Sequence, residues 1–492
     1  MAEGRRIVIV GGGITGLSAA HAAIARGREK QAVPRVTLLE RSGRLGGNVV
    51  TDRVDGFVLD SGPDSWVVTK PQATALAREL GLESQLVATN PNNRRYYIGW
   101  GDKLHPVPEG MVLGVPTRVG PLVSTGLFSW GGKIRMGMEP FVKTRRFEGD
   151  DDESIGDFAT RRLGREAAER LVAPLLGGIS AGDAADISVR AAFPMLVAME
   201  REHGSLVRGM LAARKARAKA GGAAGGGREG SAFTSLRGGV GDLSTALVDR
   251  LRTEGVTLRT GAVVEAVAIR TATVRERSPG APTWDVYLEG GERLEADAVL
   301  LAVPGYAATR IVHTIDEEIA RTLSSISYGS TATVFLGYKR ADVAHPLDGV
   351  GFVVPRAAGR PILASTWVSS KWDDRAPEGH VLLRAFFGGA WGDGALSEGD
   401  DALIRTARTE LKTLMGLDAE PVLARVFRFP KASAQMKVGH LAMMRGLREM
   451  LARVAPGLLV AGGGYDGVGI PDCIRQGSEA GRALVDTMEP RA

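Results

Sequence analysis

The chain opens on an uninterrupted apolar run, Ile7-Val8-Ile9-Val10, and β-branched residues with no polar alternation predict a short strand buried on both faces. Glycines stand at positions 11, 12, 13 and 16, and Ala19, Ala20, Ala22 and Ala23 then continue as a helix of small residues. Val36 to Leu39 is a second apolar strand, closed by Glu40. Residues 71–82 carry Ala73, Leu76, Ala77 and Leu80 at helical spacing, and residues 156–176 read as another helix. Val256 to Leu258, Val263-Val264, Thr283 to Leu288 and Ala298 to Leu301 predict further strands. Between about 326 and 430, the runs Thr333 to Leu336, Gly351 to Val354 and Val381 to Phe387 predict a mixed or antiparallel sheet. A last strand, Leu458 to Ala461, leads through three glycines to a helix over 473–488.

The first strand, turn and helix carry candidate chemistry. Gly11 permits a tight turn, Gly13 lets backbone approach a pyrophosphate, and Gly16 lets the helix pack close to the strand. This is the Gly-x-Gly-x-x-Gly spacing of a dinucleotide site, with Gly12 inside it. The helix N-terminus offers unpaired N–H groups to phosphates, and the Glu40 carboxylate can accept hydrogen bonds from an adenosine ribose. The nucleotide unit resumes near residue 236 and again towards residue 492, which favours FAD over NAD, because later segments must enclose a flavin ring.

With 492 residues, 44% of them hydrophobic, the chain can build two or three domains with sizeable cores. Its single cysteine excludes an internal disulfide framework, and Cys473 reads as a small packed residue. No Cys/His spacing points to a metal. The net charge of +6 is dispersed and comes with no nucleic-acid motif, so nucleic acid is not an expected partner. Glu3, Arg5 and Arg6 leave no room for a secretory leader ahead of the first strand, and no run is long enough to cross a membrane. Two segments stand apart. Residues 106–140 combine Leu122, Val123, Leu127, Phe128 and Trp130 with Lys133 and Arg135, which suits either an interfacial membrane segment or a helical core. Residues 208–230, rich in Ala, Gly, Arg and Lys, read as a flexible basic linker.

Two longer motifs specify more. Glu40-Arg41-Ser42-Gly43-Arg44-Leu45-Gly46-Gly47 resembles the Arg-x-Gly-Gly signature of the flavin amine oxidase superfamily, in which Arg44 would neutralise the pyrophosphate and the paired glycines would lie against the cofactor. The superfamily often has a second arginine where this chain has Asn48. The segment from Gly462 to Ile474 resembles the ending of the oxygen-dependent protoporphyrinogen/coproporphyrinogen oxidases, a family of FAD enzymes of haem synthesis. A helix starting near Pro471 would aim its N–H groups at the edge of the flavin where negative charge develops. Asp60 to Ser65, Pro174 to Asp183, and Phe193-Pro194-Met195 through Glu202-His203 resemble the same family, so the likeness spans nearly the whole chain.

That resemblance implies an α/β and α+β fold: a discontinuous Rossmann-like FAD-binding domain (1–66, 232–305, 438–492), a mixed-sheet substrate domain (67–95, 190–231, 306–437) and a helical, membrane-associated domain (96–189). It implies six-electron oxidation of protoporphyrinogen IX, or alternatively coproporphyrinogen III, with O2 as acceptor and H2O2 as product. It implies non-covalent FAD held by Gly11, Gly12, Gly13, Gly16, Glu40, Arg41, Arg44, Gly46, Gly47, Gly62, Pro63, Asp64, Ser65, Val264, Gly463, Val468, Gly469 and Ile470. Substrate would meet Lys70, Gly178 and Ile179, with Arg94 and Arg95 as weaker candidates. No protein general base is evident; Asp64 is the candidate, set against a structural role in the flavin loop. The resemblance also implies a cytoplasmic enzyme peripheral on the inner face of the cell membrane, and it leaves open a homodimer and hand-over of product to a ferrochelatase. Two rivals share parts of the pattern: a flavin amine oxidase, whose aromatic cage could use Tyr465, and a non-catalytic binder resembling GDP-dissociation inhibitors.

Overall fold

A computed structural model of the chain describes residues 5–178, 182–219, 231–270, 283–389 and 394–487. The first apolar run is the strand Arg6–Val10, at the centre of a five-stranded parallel sheet. Arg35–Glu40 and then Thr257–Thr260 lie on one side of it, Ala298–Leu301 and then Leu458–Val460 on the other. The sheet therefore draws on three distant stretches of chain. Both faces are covered: Ile7 and Ile9 enter one core and Val8 and Val10 another, as an unalternating run requires.

The helix Ile14–Glu29 packs on the first strand and against the helix Ile470–Asp486. Small residues make that crossing close. A Cβ on Gly477 would stand 2.2 Å from the Thr15 carbonyl oxygen, and one on Gly481 would stand 2.2 Å from that of Ala19. Any larger residue at either position would force the helices apart.

The alternating segments form a seven-stranded sheet, in the order Leu423–Gln435, Ser327–Lys339, His380–Gly389, Ala364–Trp367, Gly349–Val353, Arg95–Trp100, Lys103–Pro106. All its pairings are antiparallel except that of Gly349–Val353 with Arg95–Trp100. One face, with Leu383, Ala385 and Phe387, is covered by the helix Asp400–Met415 through Leu403, Ala407 and Leu411. Register places Arg384, Phe386, Thr366 and Tyr96 on the other face, and Arg384 there reaches the Ser61 carbonyl in the nucleotide layer.

A third layer of short helices packs on the same sheet through Ile98 and Val353. The expected helix 156–176 is in fact Ile155–Leu163, a short turn, and a π-helix, Ala168–Gly177, that contains Pro174. Proline has no N–H to donate and crowds the preceding turn, so a regular α-helix cannot run through it. Glu139 is fully buried here. It pairs with Arg162 and accepts from Ser205 Oγ (2.6 Å) and Leu206 N (2.8 Å), thereby capping the helix Leu206–Lys219. That helix corrects the expectation of a linker beginning at 208: the basic stretch is helical to Lys219, and residues 220–230 lie outside the described residues. The apolar segment is also divided differently from its appearance in sequence. Leu122, Leu127 and Phe128 are core, while Val119, Val123, Trp130, Ile134, Met138 and Phe141 are exposed. No helix among the described residues is long and apolar enough to cross a membrane.

Candidate functional site

The two glycine motifs meet at the carboxyl ends of the parallel strands. Gly46 N donates to the Gly12 carbonyl at 2.8 Å, and Gly13 and Gly46 form a parallel bridge. Gly11 has φ +110°, and a Cβ there would lie 2.4 Å from the Ala302 carbonyl oxygen, so the turn admits glycine alone. A Cβ on Gly16 would lie 1.9 Å from the Gly11 carbonyl oxygen, so helix and strand touch through backbone. Gly13 differs. The nearest atom to a Cβ there is Gly47 Cα at 3.8 Å, so protein packing does not demand its bareness. What needs it is something laid along the backbone. Gly13 caps the first helix with no side-chain hydrogen bond and no acid in the first turn, which leaves donors for an anion.

Glu40 is fixed by Gly12 N and Ser42 N, each at 2.8 Å to a different carboxylate oxygen, so both oxygens keep a lone pair for hydroxyl groups. Arg41 and Arg44 are exposed, and the Arg44 guanidinium has no ion pair among the described residues. Gly261 N and Ala262 N donate to the Ser42 and Glu40 carbonyls, which brings Val264 to the same turn. An open glycine trough, an uncapped helix start, an available guanidinium and an anchored carboxylate fit a dinucleotide cofactor. Bound there, its pyrophosphate would be held by Gly13, the helix start and Arg44, and its ribose by Glu40.

The segment 60–70 forms the next wall. A Cβ on Gly62 would stand 2.0 Å from the Asn48 carbonyl oxygen, so Gly62 lies directly against the residue that follows the glycine pair. Asp64 accepts from Lys371 Nζ (2.7 Å), Trp372 Nε1 (3.2 Å) and Ser65 Oγ (2.6 Å). Burial pushes its carboxyl up, but the Lys371 charge and hydrogen bond, the Ser65 hydroxyl and the Arg384 charge outweigh this and hold it below the usual carboxylate range. Asp64 is thus a fixed anion and a weak base. Asp60 accepts from Thr51 Oγ1 and Val240 N and pairs with Arg375 at 3.2 Å; burial, opposed by Arg375, pushes it up to about 6.

Lys70 lies exposed at the far end of this segment, its ammonium 2.7 and 2.8 Å from the two Asp472 oxygens. Asp472 also takes Gly469 N at 3.3 Å, so one N–H at the start of the final helix is already engaged. Ile470 is buried, Val468 and Gly469 are half-buried beside it, and Gly463 stands against Cys473. Cys473 itself is buried, and burial pushes its thiol up to about 11, so it stays neutral. Tyr465 is 2% exposed and donates to the Val303 carbonyl at 2.9 Å, which commits it to the core rather than to a cavity wall. Gly178, at the end of the π-helix, is exposed with nothing within 4 Å of a Cβ, and Ile179 lies outside the described residues. Arg95 pairs with Asp348 at the surface.

Sequence reasoning missed Arg384 and Tyr96 on the seven-stranded sheet, and Lys371 and Arg375 in the connection between two of its strands. The Tyr96 phenol is raised by burial and by the nearby Asp64 charge, which places it beside the same wall. Arg384 did leave a signal, being the one charge inside the apolar run from Val381 to Phe387.

Residues 14–485 match the model of the family described as flavin containing amine oxidoreductase. The chain is 36% identical to the coproporphyrinogen III oxidase of Bacillus subtilis, over 98% of each chain. It is 29% identical to protoporphyrinogen oxidase 1, chloroplastic, of Arabidopsis thaliana, over 95% of this chain and 85% of that one. A crystal structure from Exiguobacterium sp. 255-15, provisionally assigned as a protoporphyrinogen oxidase, superposes with a TM-score of 0.84 at 32% identity, covering 98% of both chains. A putrescine oxidase variant at 16% identity and TM-score 0.67 shares the fold.

The Asp64–Lys371 pair predicts how stability changes with pH. A carboxyl held below its unfolded value contributes stability above about pH 4 and loses it as pH falls through the folded value. Lys371→Met removes the two largest effects that oppose burial, so the Asp64 carboxyl moves up. The variant should be less stable by roughly 3 kcal/mol at pH 7, with the gap narrowing as pH falls through 5 to 4. Urea unfolding at several pH values measures it; a gap independent of pH would mean that Asp64 is not the group responsible.

Proposed function

The chain belongs to the flavin-containing amine oxidoreductase family, and from that premise we propose that it is a porphyrinogen oxidase of haem biosynthesis with non-covalently bound FAD. The observation that carries this reading is 36% identity to a coproporphyrinogen III oxidase along 98% of both chains, in a protein that keeps the glycine cradle whole. FAD supplies the hydride-accepting chemistry, and O2 is the terminal acceptor, giving H2O2. The neutral, buried Cys473 supports a cofactor that is not covalently attached. The protein's part is to bind and orient: the cradle holds the dinucleotide, and the segment 60–70, with Asp64 near Tyr96, offers the adjoining surface. Lys70, beside the final helix, is the cation offered to a substrate propionate. The three-part domain plan read from sequence is kept in this proposal with two boundaries moved: residues 96–106 go with the seven-stranded sheet, and the helices Pro194–His203 and Leu206–Lys219 go with the helical layer.

The relatives of higher identity are named for coproporphyrinogen III and the plant relative of lower identity for protoporphyrinogen. This supports coproporphyrinogen III as the preferred substrate, the reverse of the preference read from sequence. An amine oxidase is disfavoured by Tyr465, whose hydroxyl is engaged in the core.

The exposed apolar residues support peripheral attachment to the inner face of the cell membrane. Trp130, Ile134 and the C-cap Met138 recur every four residues and so share one helix face, and Val119, Val123 and Phe141 on the neighbouring helices are exposed as well. Lys133 stands 4.5 Å from the Trp130 ring, suited to anionic headgroups.

Three outcomes test this reading. The purified protein should be yellow and should release FAD on acid denaturation, and Arg44→Ala should weaken FAD binding ten- to a hundredfold, as loss of a charged hydrogen bond worth roughly 1.5–3 kcal/mol implies. Under anaerobic conditions, coproporphyrinogen III and protoporphyrinogen IX should each bleach the flavin, the first with the higher kcat/KM. Amines should not; bleaching by amines alone would overturn the assignment. Trp130→Asp with Phe141→Asp should abolish co-flotation with anionic liposomes at unchanged activity on soluble substrate.

A further inference from the structure

Five charged side chains, three of them buried and two half-buried, lie between the nucleotide layer and the seven-stranded sheet. Four are matched: Lys371 with Asp64, and Arg375 with Asp60. The fifth, Arg384, has no carboxylate partner among the described residues. It is 5% exposed, donates from Nη2 to the Ser61 carbonyl at 2.5 Å, and stacks 4.4 Å from the Phe386 ring centre and 5.2 Å from that of Phe335. Its Nε is buried with no acceptor. Burial pulls its guanidinium down to about 10 even with Asp64 and Asp60 nearby, yet it stays charged at neutral pH. A cation left unbalanced in such surroundings is costly, and an apolar side chain of similar length would pack there more cheaply.

The position shows what could balance it. Ser61 precedes Gly62, which rests on Asn48 beside the Gly46–Gly47 pair. The same segment is tied at its far end to the start of the final helix through Lys70 and Asp472. A ring bound between cradle and final helix would lie along this segment, which Arg384 grips at the Ser61 carbonyl. Hydride transfer delivers two electrons and one proton, so a neutral flavin that accepts a hydride gains one negative charge. A substrate propionate is a poorer match, because Arg384 is sealed from solvent under Phe386, whereas carboxylates belong at a wet cavity mouth.

We propose that Arg384 is the electrostatic counter-charge for the reduced cofactor: a positioning residue that holds the Ser61–Gly62 wall and stabilises the negative charge acquired on hydride transfer. This rests on the flavin reading above. The term is larger in the reduced than in the oxidised state, so it should appear in the reduction equilibrium and not in the affinity for oxidised FAD.

The experiment equilibrates wild type, Arg384→Met and Arg384→Lys anaerobically with a reference dye and reads the reduced fraction of bound flavin by absorbance. Dissociation constants for oxidised FAD are measured in parallel. Arg384→Met should bind oxidised FAD within threefold of wild type but shift the reduction equilibrium about tenfold towards the oxidised form, which is ~30 mV for a two-electron couple. Arg384→Lys should restore most of the shift. If Arg384→Met fails to fold, Arg384→Gln, which keeps a donor for Ser61, carries the same measurement. A shift below threefold in a folded, yellow variant overturns the proposal, as does a rise in KM alone, which would make Arg384 a substrate contact. A wild-type protein that binds no flavin would instead remove the reading on which the proposal stands.

Discussion

The Lys371 ammonium, 2.7 Å from Asp64, fastens the nucleotide layer to the seven-stranded sheet. Around it, Ser61 meets Arg384, Asp60 meets Arg375, and Lys70 meets Asp472 on the final helix. A strip of eleven residues, Asp60 to Lys70, is thus gripped from two sides by partners far away in the chain. The glycine cradle needs this grip, because Gly62 lies on Asn48 with no side chain between them. If the strip loosened, Gly62 would lose its fixed place against Asn48 beside the glycine pair. Buried ion pairs add little net stability over apolar packing. What these contribute is a single geometry between two layers that have no covalent reason to keep one.

What the sequence disclosed and what it hid divide along the range of the interactions. The strand–glycine–helix unit at residues 7–23 is local: β-branched run, turn and small-residue helix all lie within one window, and the structure follows them closely. Glu40 was legible because its role depends on ending the second strand. The wall was half legible. Gly62 to Ser65 could be named as a motif, but Lys371 and Arg384, its partners, lie about three hundred residues away and carry no spacing that points back to it.

Amphipathic reading failed in an instructive place. Leu127, Phe128 and Trp130 look alike in composition, yet two are core and one is surface, because the chain turns at Ser129, where Ser129 Oγ accepts from Gly132 N and starts a new helix. A cap shifts the helical phase, and periodicity cannot be carried across it. The basic stretch after 206 was misread for the opposite reason: arginine, lysine and alanine are good helix formers, and the buried Glu139 that anchors its start is distant in sequence.

The three-part assembly of the parallel sheet bears on how the protein is made. The first helix reaches its resting place only when Gly477 and Gly481 arrive to cover Thr15 and Ala19, and the strand Leu458–Val460 completes the sheet just before them. At a synthesis rate of ~5–20 residues per second, roughly 20–90 s separate the emergence of the two helices. For that interval the nascent cradle has one open flank and an uncovered stripe of small residues. The helical layer, contiguous in sequence, can consolidate meanwhile. Cofactor capture therefore belongs to the end of biogenesis, and a ribosome that stalls short of the last helix leaves a chain with its helical layer built and its nucleotide site unfinished.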